Sequence, residues 1–217
     1  MRAQVLARLA GLVALAGLPP LLAAQTRAEF TPFVALYAPT GHLDEETNVV
    51  QSGDKLTLKQ KTSVIVGGRI GVWVTERVGI EGSFGYSPSR VQADYTPAGG
   101  GGTGTADTNA RVVMANARVL FGFGPKGGNT AWHFMLGGGI IAHGGDAWTG
   151  VDGTTDFGGL VGLGGRFKVG PSLAVRIDVE DNLFSAKFKD PSTGAESQSR
   201  FQNDLVFTGG LSIPFGK

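Results

Sequence analysis

Val175-Arg176-Ile177-Asp178-Val179-Glu180 decides how the rest of this chain is read. Branched aliphatic residues alternate strictly with charged ones. A period of two places all the aliphatics on one face of a β-strand and all the charges on the other. The stretch is too regular for a turn, and its period is wrong for a helix. One face must therefore meet apolar surroundings while the other gathers charge.

Seven further stretches repeat the pattern. The first runs from about Glu29 to Tyr37, with Phe30, Val34 and Leu36 on one face. The second, Ser63 to Val74, sets Val64, Val66, Ile70 and Val72 against Arg69 and Trp73. In the third, Val78 to Ser87, Ile80, Phe84 and Tyr86 oppose Glu81. The fourth, Arg111 to Phe123, sets Val113, Val119 and Phe121 against Asn116 and Arg118. The fifth, Ala131 to Ala142, shows Trp132, Phe134, Leu136 and Ile140, with His133 and Met135 opposite. The sixth, Thr155 to Lys168, has Phe157, Val161, Leu163 and Phe167 facing away from Asp156 and Arg166. The seventh, Ser172 to Phe184, contains the opening stretch, and the eighth runs from Asn203 to Phe215.

The gaps between stretches are long and short by turns. Residues Pro39 to Thr62, Pro88 to Asn109, His143 to Thr154 and Ser185 to Gln202 form four long loops. Thr75-Glu76-Arg77, Gly124 to Thr130 and Val169-Gly170-Pro171 are short turns. This order predicts an all-β fold, an eight-stranded antiparallel up-and-down transmembrane β-barrel, with both ends of the domain on the turn side and the long loops outside. The run Ala98 to Gly104 is glycine-rich, but no Lys-Ser/Thr and no helix follow it, so it reads as loop rather than phosphate cradle.

Residues 1–25 read as a signal peptide: Arg2 and Arg8 precede the apolar run Leu9 to Leu18, and Ala23-Ala24-Gln25 supplies small residues for cleavage. The apolar run is too short for a membrane helix, and Pro19-Pro20 interrupts it. Residues 26–217 then form the barrel domain. The leader holds two of the 19 basic residues and none of the 18 acidic ones, leaving 17 against 18 in the domain. That near-balance gives no argument for nucleic acid. There is no cysteine, which excludes disulfides and an acylated cysteine anchor.

A soluble lipocalin-like barrel would show the same alternation with its apolar face turned inward. The charges favour a membrane. Arg69, Glu81, Arg118, Arg166, Arg176, Asp178 and Glu180 are of mixed sign and nearly balanced, as an ionic network in a narrow lumen requires. Trp132, Phe123, Phe167 and Phe215 fall at the turn-side strand ends, where an interfacial aromatic girdle belongs. Pro32 and Pro214 lie near the rim of the first and last strands and predict a frayed seam there.

Two stretches carry a family resemblance. Phe30-Thr31-Pro32-Phe33-Val34-Ala35-Leu36-Tyr37-Ala38-Pro39-Thr40-Gly41 is similar to the first strand of the small eight-stranded outer-membrane barrels of the OmpA-barrel, OmpX and OmpW type. At the other end, Thr208, Gly210, Ile213 and Phe215 resemble the C-terminal signal read by the barrel-assembly machinery, although Gly216 and Lys217 follow the aromatic. The resemblance implies an outer-membrane location, with outer-membrane lipids as partners; a monomer without a cofactor is the further expectation.

Chemistry is sparse. Barrel enzymes that modify lipid A use His with Ser or an acid, and this chain has His42, His133 and His143. His133 has no serine clearly opposite it; His143, near Asp146, is the better candidate, yet a rim or loop histidine accounts for it. Asp44-Glu45-Glu46 reads as a solvated charge run, and Asp146, Asp152 and Asp156 match no calcium-loop spacing. Glycines at 67, 71, 137, 139, 158, 162 and 164 on the inward face leave room either for a narrow porin-like path or for large neighbouring side chains. The expectation is a non-enzymatic barrel with a side-chain-filled lumen and its loops as the working surface.

Overall fold

The structure, a computed structural model, describes residues 27–47, 53–99, 101–124, 128–151, 154–187 and 200–215. The expected signal peptide, Asp152, Gly216 and Lys217 lie outside these residues. Among the described residues ten strands form one antiparallel sheet: β1 (Arg27–Pro39), β2 (Asp44–Thr47), β3 (Lys55–Gln60), β4 (Ser63–Trp73), β5 (Val78–Thr96), β6 (Gly104–Phe123), β7 (Thr130–Gly144), β8 (Thr155–Gly170), β9 (Leu173–Ala186) and β10 (Arg200–Phe215). A 3-10 turn, Asp146–Trp148, interrupts the connection from β7 to β8.

Eight of the strands close on themselves. Each of β4 to β9 pairs with the next, β10 pairs with β9, and β1 joins β10 to β4. Closure is staggered. Following direct partners from Ala28 leads through Val72, Ile80, Val119, Leu136, Val161, Asp181 and Leu205 back to β1 at Ala38. That offset of ten residues over eight strands tilts the strands by about 40°. Closure gives edge groups partners, the condition for crossing a membrane with strands.

Burial follows the alternation. Along β1, Glu29, Thr31, Phe33, Ala35 and Tyr37 are buried while Phe30, Val34 and Leu36 are exposed. The same holds around the ring, with Val66, Ile70, Ile80, Phe84, Leu136, Leu163, Ile177, Val179 and Phe207 outside. An outer wall of such residues is stable against hydrocarbon, not water. One acid breaks it: Asp181 falls on the outward parity of β9, directly opposite Val161 and Leu205.

Three expectations need correction. The first long loop contains strands β2 and β3, and the second is mostly strand, because β5 and β6 run for 19 and 20 residues. A membrane needs only about 9–11. The surplus projects beyond the barrel, where β3 takes over from β4 as the partner of β5 at Gln60 and Val91. Lys59 to Asp94, at 3.3 Å, and Lys61 to Asp107, at 2.8 Å, tie this flap laterally. The rim of the seam is also paired, Glu29 against Pro214. The ladder instead skips Thr31 and Pro32, resuming at Phe33 opposite Gly210. Pro32 has no N–H to give, so the break sits at the proline rather than at the strand end.

Candidate functional site

The inward faces build a lumen in two halves. Toward the turns it is ionic. Arg69 on β4, Glu81 on β5, Arg118 on β6 and Arg176, Asp178 and Glu180 on β9 meet near the barrel axis, all at most 4 % exposed at the side chain. The contacts run in a closed circle of alternating sign. Arg69 binds both Asp178 and Glu180 at short range. Glu180 lies 2.8 Å from the Arg118 guanidinium as an ion pair, and Arg118 reaches Glu81 at 3.5 Å. Glu81 receives Arg176 through both guanidinium Nη atoms, and the Arg176 Nε lies 2.9 Å from Asp178. Three cations and three anions thus compensate one another where an unpaired charge would cost several kcal/mol.

Further side chains complete the ring. Thr208 on β10 lies 3.0 Å from Arg69, whose guanidinium also stacks 4.6 Å over the Phe33 ring. Asn116 accepts from Arg118 at 2.8 Å. His133 Nε2 is 2.8 Å from Asp178 Oδ1, and because a carboxylate only accepts, Nε2 carries the proton. Gly164 makes this possible: a Cβ there would collide with both the Asp178 carboxylate and the His133 ring. The other expected gaps are filled likewise, Gly67 by Phe33, Gly158 by Phe184 and Gly162 by Met135.

Arg166 stands apart from the six. It sits lower on β8 and binds Glu29 at 2.8 Å; Ser212 donates to the same carboxylate at 2.6 Å. Glu29 is the acid that pairs with this fourth arginine. Its signal was its place in the inward series of β1, shared with Thr31 and Phe33. Of the C-terminal residues, Thr208 and Gly210 face the lumen, whereas Ile213 and Phe215 are exposed on the outer wall.

Toward the loops the lumen is apolar. Phe33, Ile65, Val112, Met114, Ile141, Phe184 and Val206 pack together, with Leu43 and Trp148 from the connections laid over them. The Tyr37 hydroxyl donates to Asp204 inside this half, a buried pair the alternation alone does not reveal. Between the halves remains a cavity of about 10 Å³ beside Arg69 and Glu180. That is room for about one water.

His143, the better catalytic candidate by sequence, is instead a packing residue, its ring 5.1 Å from Trp148 and 6.3 Å from Phe184. His133 is engaged with an acid, Asp178 on β9. Among the described residues no group of three or more His, Asp or Glu is placed to hold a metal ion.

A closed eight-stranded ring with an apolar outer wall and an ionic lumen defines a transmembrane β-barrel of the outer-membrane kind. The chain belongs to the outer membrane protein beta-barrel domain family, whose model matches residues 11–208. No curated protein is significantly similar to it in sequence. Among solved structures it is similar to the outer membrane protein OprG from Pseudomonas aeruginosa, at 12 % identity and a TM-score of 0.61 over 88 % of this chain and 97 % of that one. It is also similar to outer membrane protein W of E. coli, with 16 % identity and a TM-score of 0.52 over 88 % and 100 % of the two chains. For Neisserial surface protein A the values are 11 % and 0.53 over 87 % and 99 %. At such identities the likeness is one of fold. The protein is an outer-membrane barrel, in contact with lipid along its outer wall.

Proposed function

We propose that the protein is a non-enzymatic, monomeric outer-membrane barrel whose lumen is shut and whose working surface is its loop end. The closed circle of six charges, with room for about one water above it, carries this reading. A solute would have to break several charge-assisted hydrogen bonds at once, each stronger than an ordinary one. The projecting β5–β6 flap supports the second half of the proposal, because a rigid scaffold that extends past the membrane presents loops for binding. Export by a cleaved signal peptide, and recognition of Thr208, Gly210, Ile213 and Phe215 by the assembly machinery, belong to the same proposal.

Planar-bilayer recording tests the closed lumen. The expected result is no steady ion conductance from the intact barrel and a measurable one from a variant such as Arg69→Ala. Porin-like conductance of the unaltered protein would overturn the proposal. A second reading, passage of small apolar solutes, is favoured by the apolar lining of the loop-end half. Faster equilibration of an apolar solute into proteoliposomes than into empty liposomes, without ion conductance, would select it.

A further inference from the structure

Below the ring of charges the lumen opens at the turn end into a bowl of about 360 Å³. His133 and Arg176 form its floor, and Arg27, Arg77, Arg166 and Lys168 line its sides. Unlike the ring above, the bowl is not balanced. Arg176 is satisfied by Glu81 and Asp178. Arg27, at 3.2 Å, and Arg166, at 2.8 Å, share the single carboxylate of Glu29. The Arg166 Nε is buried without a hydrogen-bond partner. Arg77 and Lys168 pair with no acid among the described residues, and Glu76 is the one other acid in the lining. Positive charge therefore exceeds negative in a concave site that opens to water at the turn end, with Arg27, Arg77 and Lys168 exposed along its lining.

The remaining wall is aromatic. The Trp73 indole lies across Gly79 and Gly122, where a Cβ would come within 3.2 Å and 3.5 Å of the ring. It packs on the buried cluster of Leu120, Met135 and Leu160. The indole is thus held in place at one side of the bowl, with cations around it.

We propose that this bowl is a binding site for a small organic anion taken up from the periplasmic side. Its carboxylate or phosphate head is held by Arg27, Arg166 and Lys168, and its flat or apolar body lies against Trp73. Guanidinium groups present paired donors that match carboxylate and phosphate oxygens. The volume is that of small-molecule pockets, about 300–1,000 Å³. The circle of charges closes the far end, so the bowl holds a ligand without conducting it.

The test uses the full barrel in detergent micelles, titrated with benzoate, phenyl phosphate and inorganic phosphate, with binding read by calorimetry and tryptophan fluorescence. Lys168→Gln combined with Arg77→Gln lowers the positive charge while leaving the buried Glu29 pairs intact, and a heat-dependent gel shift shows that the variant is folded. The expected result is saturable binding of benzoate and phenyl phosphate, roughly tenfold weaker in the double variant and unchanged by Lys61→Gln at the loop end. Absence of saturable binding, or equal affinity in the double variant, would overturn the site. Inorganic phosphate binding as tightly as phenyl phosphate would overturn the part assigned to Trp73. Loss of phenyl phosphate binding in discs of anionic lipid, but not of zwitterionic lipid, would replace the soluble ligand by a lipid headgroup.

Discussion

The two halves of the lumen solve the same problem, filling a narrow barrel, by opposite means. The loop-end half is close-packed from Phe33, Ile65, Met114, Ile141 and Phe184. Most side chains there need only a neighbour of suitable volume, the hydrogen-bonded pair of Tyr37 and Asp204 excepted. The turn-end half uses Arg69, Glu81, Arg118, Arg176, Asp178 and Glu180, and each needs a partner of opposite sign at hydrogen-bond distance. Packing tolerates exchange of shape, but a charge circle does not tolerate loss of a member. Sensitivity to substitution in this barrel should therefore follow charge pairing more than side-chain size.

The largest expected effect comes from Arg176→Leu. It leaves Glu81 with only Arg118, and three acids facing two arginines, which should cost about 3–5 kcal/mol in urea unfolding from lipid bilayers. Glu180→Leu should behave alike, leaving Arg69 with only Asp178 and Arg118 with only Glu81. Next comes the outer wall. Val179→Arg, between Leu163 and Phe207 in register, should cost about 2–4 kcal/mol. Val161→Arg should cost less, because Asp181 stands directly opposite and can pair with the new cation. Equal costs for the two would remove Asp181 from the outer face.

In the apolar half, Met114→Leu should change stability by less than about 1.5 kcal/mol. A near-isosteric exchange in the charged half, Glu180→Gln, should exceed it, since the carboxylate serves both Arg69 and Arg118. Similar costs for both would erase the contrast between the halves. The smallest effect is expected from Lys187→Leu, just past the end of β9, within about 0.5 kcal/mol by the same measurement.

The ring and its faces were legible in the sequence because membrane strands must present lipid with apolar residues at every second position. Val175 to Glu180 shows this without ambiguity. The flap was not legible for the complementary reason. Beyond the membrane, a stretch such as Ser89 to Thr96 is free of that requirement, and its polar composition reads as loop. The seam break depends on which N–H the ladder needs, and that is a matter of register rather than of composition.

Side-chain reach explains what was and was not readable in the site. Inward parity identifies Arg69, Arg118 and Arg176, but not that Arg69 spans the lumen from β4 to β9 while Arg166 stops at Glu29. Tyr37 and Asp204 belong to the same class, two inward residues whose pairing needs the neighbouring strands in place. His143 looked chemical next to Asp146, yet the fold turns its ring toward Trp148 and Phe184.

The central claim is that the charge circle stabilises the barrel by leaving no charge unpaired, and one comparison of unfolding midpoints tests it most directly. Arg176→Leu is compared with Arg176→Leu/Glu81→Leu, both in lipid bilayers. The double variant retains Arg118, Glu180, Arg69 and Asp178, two charges of each sign still in contact. The double variant should be more stable than the single one, despite losing a second residue. A double variant destabilised by the sum of its two single changes would contradict it.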